Sequence, residues 1–236
     1  MKALITGITS DLGLAFARKL VGEGYTIVGT YHSNQNKALT IKEELKDKVE
    51  IYKVDLTNEE EIKNLCATID TIDVLINNAC TYHDCCLEEK TKADFIDTLD
   101  VNLIAPFLLI KYLSPNMKKG HIINISSTDA INTYNEINFD YACSKAGLIT
   151  LTKALSQSLP NIKLYTITPN WINTQTTKEL SPLYLEEELK KSGQTRLIEP
   201  EELSQILYNL IKENNIKSGT NIIVDIKNNK LEVKYE

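Results

Sequence analysis

Tyr141 and Lys145 stand four residues apart in "YACSK", within a segment, "YACSKAGLITLTKALSQSL", that reads as a strong helix. Residues at i and i+4 share a helix face, so the phenol and the ammonium are neighbours. A tyrosine with an ordinary pKa of ~10 is a poor base at neutral pH. An ammonium about 4 Å away, at an effective dielectric of 20, is worth ~4 kcal/mol. That could lower the phenol pKa by up to ~3, into the range where it exchanges protons with a reacting oxygen. A solvated Tyr and Lys on an outer helix face would show the same spacing, so the pair needs support from elsewhere.

A second candidate lies near the amino terminus, in "ALITGITSDLGLAFARKL". A short apolar run enters a glycine turn, and the turn enters a helix. Gly7 permits a tight turn and Gly13 lets the helix pack closely on the strand. Backbone N–H groups and the positive end of the helix would then face a phosphate. Asp11 in the middle of the turn complicates that reading, because a carboxylate repels a diphosphate. It also suits the first turn of a helix, and the expectation is that it bonds backbone N–H groups there, leaving Ser10 and the Leu12 amide to a ligand. A third cluster, "CTYHDCC" (80–86), gathers Cys80, His83, Asp84, Cys85 and Cys86. Its spacing does not suit structural zinc, and free thiols in a loop are the expectation, with no metal site.

The elements that must position these groups alternate along the chain. "KALIT", "YTIVGTY", "VEIYKVD", "IDVLINNA", "GHIINISS" and "NIKLYTITP" read as strands, with helical patterns between them. A long helical stretch spans about Lys92 to Leu113, with a bend expected at Pro106. "EPEELSQILYNLIKE" is a helix, and "NIIVDIKNNKLEVKYE" closes the chain as a strand or as a hairpin around Asn228 and Asn229. Strands apolar on both faces imply a parallel sheet covered by helices on each side. The fold expected is α/β, a single doubly wound domain over residues 1–236 with about seven parallel strands.

Composition narrows the class of function. At 236 residues and 42% hydrophobic, the chain can build one sizeable core. A net charge of −6 argues against nucleic-acid and acidic-membrane partners. Arg18 and Arg196 are the only arginines, so bidentate recognition of phosphate is scarce. No apolar run approaches the ~18–20 residues needed to cross a bilayer. Five irregularly spaced cysteines and a start, "MKALITG", without a cleavage pattern suggest reduced thiols in a cytoplasm.

Taken together, "TGITSDLG" (6–13), "NNAC" (77–80), "YACSK" (141–145) and "ITPNWINT" (167–174) resemble the TGxxxGxG, NNAG, YxxxK and PGxIxT motifs of the short-chain dehydrogenase/reductase family. They occur in family order and span nearly the whole chain; the nearest general likeness is to bacterial 3-oxoacyl-carrier-protein reductases. The resemblance implies a nicotinamide-dependent oxidoreductase acting on a small-molecule carbonyl or secondary alcohol. Ser127 would hold the carbonyl, Tyr141 would give the proton, Lys145 would lower the Tyr141 pKa and hold the nicotinamide ribose, and Asn102 would close a proton relay. Gly7, Ser10, Asp11, Leu12, Gly13, Asp55, Leu56, Asn78, Ala79, Tyr141, Lys145, Ile172 and Thr174 would contact cofactor.

The second strand ends in "GTYHSN", where members that prefer NAD place an acid on the ribose 2′-hydroxyl. No acid is present, and His32, Ser33 and Ser10 can donate to a 2′-phosphate, so NADP(H) is favoured over NAD(H). The resemblance also implies a homodimer or homotetramer through the 92–113 and 141–158 helices, a substrate lid over 175–196 and a pocket lined in part by 128–140. Glycine is replaced at Asp11, Cys80 and Asn170, and the usual DGG near the carboxyl end becomes Asp225, Ile226 and Lys227, so residues 227–236 form an atypical tail. These losses motivate an alternative, a catalytically weak nucleotide-binding sensor or scaffold of the same fold.

Overall fold

The computed structural model describes residues 1–133, 135–213 and 215–236. Its strands are β1 (Lys2–Ile5), β2 (Thr26–Tyr31), β3 (Val49–Lys53), β4 (Val74–Asn77), β5 (Gly120–Ile125), β6 (Ile162–Pro169), β7 (Thr220–Lys227) and β8 (Lys230–Tyr235). Its helices are α1 (Asp11–Gly22), α2 (Gln35–Leu45), α3 (Glu59–Ala67), α4 (Lys92–Leu99), α5 (Ala105–Leu113), α6 (Phe139–Ser158), α7 (Gln175–Lys178), α8 (Pro182–Ser192) and α9 (Pro200–Glu213).

Successive strand side chains point to opposite faces, and here both faces are apolar. Ala3, Ile5, Val74 and Ile76 pack on one side with Phe16, Leu20 and Leu207 of α1 and α9. Leu4, Leu75, Ile122 and Leu164 pack on the other with Ile62 of α3 and Leu109 of α5. The strand order is β3-β2-β1-β4-β5-β6-β7-β8. The chain therefore runs outward from β1 to β3, then crosses back to lay β4 on the other side of β1. The gap above the carboxyl ends of β1 and β4 is the switch point at which doubly wound sheets bind ligands.

The sheet has eight strands, one more than expected. β8 returns antiparallel on β7, with Lys227 opposite Lys230. Asn228 (φ 51°) and Asn229 (φ 59°) make the turn in the left-handed region that asparagine tolerates. Lys230, Glu232 and Lys234 on this last strand give its edge the charges that discourage further strand pairing.

The break in the long helix differs from a simple proline bend. Residues Asp100–Ile104 form a π-type turn, in which the Ala105 N–H donates to the Asp100 carbonyl. Pro106 has no N–H to give the Asn102 carbonyl, so the regular ladder cannot pass through Asn102. Such widened turns put a residue in a geometry that a regular helix denies it.

Candidate active site

The phosphate-type turn is built by its own side chains. Gly7 takes φ 66°, and a Cβ there would lie 3.0 Å from Ala79 Cα. A Cβ on Gly13 would collide with the Gly7 carbonyl oxygen. Ser10 caps α1: its Oγ accepts from Gly13 N–H (2.9 Å) and donates to the Gly7 carbonyl (3.0 Å). That hydroxyl proton points into the turn in this structure. Asn78 braces the same turn, donating from Nδ2 to Thr6 O (2.9 Å), Gly7 O (3.1 Å) and Ser10 Oγ (3.1 Å). Thr6 Oγ1 in turn accepts from the amides of Asn78 and Ala79, each at 3.0 Å. Asn78 and Ala79 thus shape the cradle, and these bonds leave the amides of Asp11 and Leu12 outside them at the start of α1.

Asp11 departs from expectation as well. Its carboxylate turns away from its own helix, accepting from Lys37 Nζ of α2 (2.9 Å) and from the Gln175 N–H at the start of α7 (2.6 Å). Burial pushes its pKa up, but the hydrogen bonds from Lys37 and Gln175 and the charges of Lys37 and Lys178 outweigh that and hold it below the ordinary range. An ionised Asp11 therefore joins the turn to the front of the 175–196 segment, across the mouth of the cleft. Thr174 caps α7, and Ile172 bridges Ile198 in parallel, so both flank this contact. Lys37, which carried no motif, enters the site only because α2 folds beside α1.

At the second strand end, His32 and Ser33 are exposed beyond Tyr31. Asp55 closes a turn on Thr57, accepting from its N–H (2.9 Å) and its hydroxyl (2.7 Å), with Leu56 between them. His83 bonds Asp97 of α4 at 2.8 Å.

The chemical groups meet above β5. A buried chain of polar bonds seats α6: Asn77 Nδ2 donates to Asn124 Oδ1 (2.7 Å), Asn124 Nδ2 to Thr152 Oγ1 (2.8 Å), and Thr152 Oγ1 to Leu148 O (2.8 Å). Lys145, 2% exposed, donates from Nζ to the Ile125 carbonyl at 2.7 Å. Its Nζ sits 5.4 Å from the centroid of the Tyr141 ring. Ser127 lies close enough to the Tyr141 hydroxyl to lower the phenol's pKa.

Burial dominates the titration of both groups, contrary to the expected lowering at Tyr141. Desolvation, reinforced by the charges of Cys80 and Asp129, pushes the phenol well above the ordinary tyrosine range against the lowering effect of Ser127. Burial likewise pulls Lys145 down. The ammonium faces the ring and the Ile125 carbonyl, so its attraction for the phenolate oxygen does not offset the loss of water.

Asn102 is buried in the π-type turn. Its Oδ1 accepts from Thr81 N–H (2.8 Å), and its Nδ2 donates to Thr81 O (2.8 Å) and Ser144 Oγ (3.0 Å). Ser144 Oγ donates to the Tyr141 carbonyl at 2.7 Å. The Asn102 side chain thus joins the β4–α4 loop to α6 and makes no bond to Lys145 among those described.

Beside Thr128 and Asn170 lies a cavity of about 370 Å³, lined also by Thr133, Asp225, Lys227 and Lys234. Asn170, standing where the motif has glycine, donates to Asp225 (3.0 Å) and accepts from Trp171 N–H (2.9 Å) and Thr128 Oγ1 (3.3 Å). Of the pocket-lining stretch 128–140, Tyr134 lies outside the described residues.

A doubly wound sheet with a glycine turn after its first strand and a Tyr–Lys–Ser cluster, buried at Lys145 and half-buried at Tyr141 and Ser127, defines a class of nucleotide-dependent oxidoreductases. A family model described as short chain dehydrogenase matches residues 1–184. The chain is 32% identical over 221 residues to the 3-oxoacyl-(acyl-carrier-protein) reductase FabG of Thermotoga maritima, covering 89% of each chain. It is 35% identical over 189 residues to nodulation protein G of Rhizobium sp. (strain N33), covering 76% of each. Among solved structures, a dehydrogenase/reductase from Sinorhizobium meliloti 1021 superposes with a TM-score of 0.87 at 25% identity, covering 96% of this chain and 93% of that one. A blue fluorescent protein from a metagenomic library, in complex with NADPH, gives 0.86 at 25% identity, covering 95% and 96%. The chain belongs to the short-chain dehydrogenase/reductase family and is an oxidoreductase.

Proposed function

We propose that the protein reduces a carbonyl compound with NADPH, with Ser127, Tyr141 and Lys145 as the reacting set. The observation that carries this reading is Tyr141 set beside Ser127, with the Nζ of the buried Lys145 5.4 Å from its ring centroid. The cradle of Gly7 and Gly13, which side chains would fill, suits a dinucleotide diphosphate at the start of α1. A bound nicotinamide would supply the hydride. Ser127 holds the carbonyl oxygen, and Tyr141 delivers a proton to it as negative charge develops. Lys145 sets the ring of Tyr141 from below, and Asn102 keeps the Thr81 and Tyr141 backbones in place.

NADP(H) over NAD(H) rests on the absence of an acid from residues 30–34 and on the exposed His32 and Ser33. None of Ser127, Tyr141 and Lys145 lines the cavity beside Thr128, so the substrate class rests on the reacting set alone: a carbonyl or secondary alcohol, a 3-oxoacyl thioester among them. Titration of purified protein with NADPH and NADH, followed by nicotinamide fluorescence, tests the reading. Micromolar NADPH binding with much weaker NADH binding is expected. Binding of neither would remove the enzyme reading and the sensor alternative alike.

Cytoplasmic localisation remains part of the proposal; among the described residues no helix is long and apolar enough to cross a membrane. The proposed assembly is a homodimer through α4, α5 and α6, where Ile96 (44%), Ile104 (42%) and Phe107 (38%) are exposed together. With β8 occupying the β7 edge, a second sheet-edge interface is disfavoured. Sedimentation equilibrium should give twice the 26.6 kDa chain mass. A monomer would refute the apolar interface, and a tetramer would refute the edge argument.

A further inference from the structure

The β4–α4 loop supplies one wall of the proposed site. Tyr82 packs edge-on against Tyr141, with ring centroids 6.3 Å apart and planes at 83°. Nothing in the sequence pattern explains how a loop holds a ring at that angle. The anchor is a buried ion pair. Lys90, at the end of the loop, donates from Nζ to Asp140 Oδ1 at 2.9 Å; the Lys90 side chain is 4% exposed and that of Asp140 0%. The same Nζ donates to the His83 carbonyl and lies 5.3 Å from the Phe139 ring centroid. The other oxygen of Asp140 accepts from Thr98 Oγ1 of α4 at 2.8 Å.

His83 follows Tyr82 in the chain, and Asp140 precedes Tyr141. Lys90 therefore grips the backbone next to one tyrosine and the side chain next to the other. An apolar pair of similar volume can fill such a space with equal or greater stability, so burying two charges is not needed to hold the fold. Directional bonds to His83 O and Asp140 fix the loop against α6 in a way that apolar contact does not. We propose that Lys90 and Asp140 are positioning residues: they set Tyr82 and the first turn of α6 so that the Tyr141 hydroxyl meets Ser127 and a substrate oxygen. This inference rests on the reductase reading above.

The test compares Lys90→Met, the charge-free double variant Lys90→Met/Asp140→Asn, and Lys90→Arg. Each is followed by thermal melting, NADPH fluorescence titration, and kcat and KM for a small diketone. The double variant is expected to fold with a modest fall in melting temperature, because the His83 carbonyl loses its donor, and to keep its NADPH affinity. Its kcat should fall about 10- to 100-fold, the scale of a misplaced reacting group, with KM little changed. Lys90→Arg should retain more kcat than Lys90→Met. If Lys90→Met fails to fold because Asp140 is left unpaired, the double variant decides the matter. Wild-type kcat in the double variant would overturn the proposal, as would a loss shared equally by kcat, NADPH affinity and folded fraction. A wild-type protein that binds NADPH but reduces no carbonyl would defeat the reductase reading itself, whatever the variants do.

Discussion

Replacing Tyr141 by phenylalanine is expected to lower kcat for carbonyl reduction by about 10²–10⁴, the usual contribution of a positioned acid. That corresponds to about 3–5 kcal/mol of transition-state stabilisation. NADPH affinity should be unchanged, because the lost atom meets Ser127 and the substrate oxygen. The pH dependence gives the same residue a second signature. Burial raises the phenol pKa well above the ordinary tyrosine range, so at neutral pH it carries the proton that reduction consumes and is scarcely present as phenolate. Reduction needs the proton in place, so its kcat/KM should stay level through neutral pH and fall only on the alkaline side. Alcohol oxidation needs the phenolate, so its rate should climb as pH rises. Both alkaline changes should vanish in Tyr141→Phe. An unchanged kcat in that variant would refute the role of Tyr141, and a reductive inflection near neutral pH would refute the upward shift.

The direction of that shift shows where sequence reading stops. Spacing alone puts Tyr141 and Lys145 on one helix face, and the alternation of apolar runs places that helix on a parallel sheet. Whether a Lys beside a Tyr lowers its pKa depends on how deep both lie and on what else the ammonium bonds. α6 buries Asp140, Ser144, Lys145 and Thr152 beside only Leu148 and Ile149, so its inner face is mostly polar and no continuous apolar stripe reveals its depth. Long-range partners are equally silent. Asp11 with Lys37, and Lys90 with Asp140, pair across 26 and 50 residues, through elements whose relative placement no local pattern encodes. By contrast, the glycine turn, the motif order and most strands were legible, because each depends on local backbone geometry or on simple alternation. β8 lies between: its alternation of Lys, Glu and apolar residues is that of an edge strand, and the Asn228–Asn229 turn marks its hairpin.

Asn102→Ala carries the second large effect, and it separates two ideas about that residue. If Asn102 served only a proton relay to Lys145, its loss would lower kcat and leave the melting temperature alone. In the structure its side chain satisfies both the N–H and the carbonyl of Thr81 and bonds Ser144, which holds the Tyr141 carbonyl. Removing it orphans two partly buried backbone groups, at about 1–3 kcal/mol each. For a chain of this length, each kcal/mol moves Tm by about 2–4 °C. A fall in Tm of about 4–24 °C, together with a fall in kcat, is therefore expected from calorimetry and steady-state rates. Asn102→Asp refines the test: one carboxylate oxygen can still accept from Thr81 N–H, but the other cannot donate to Thr81 O or Ser144. An Asp variant as unstable as Ala would locate the stabilisation in the two donated bonds. An Ala variant with wild-type Tm and reduced kcat would return Asn102 to the relay and refute the clamp.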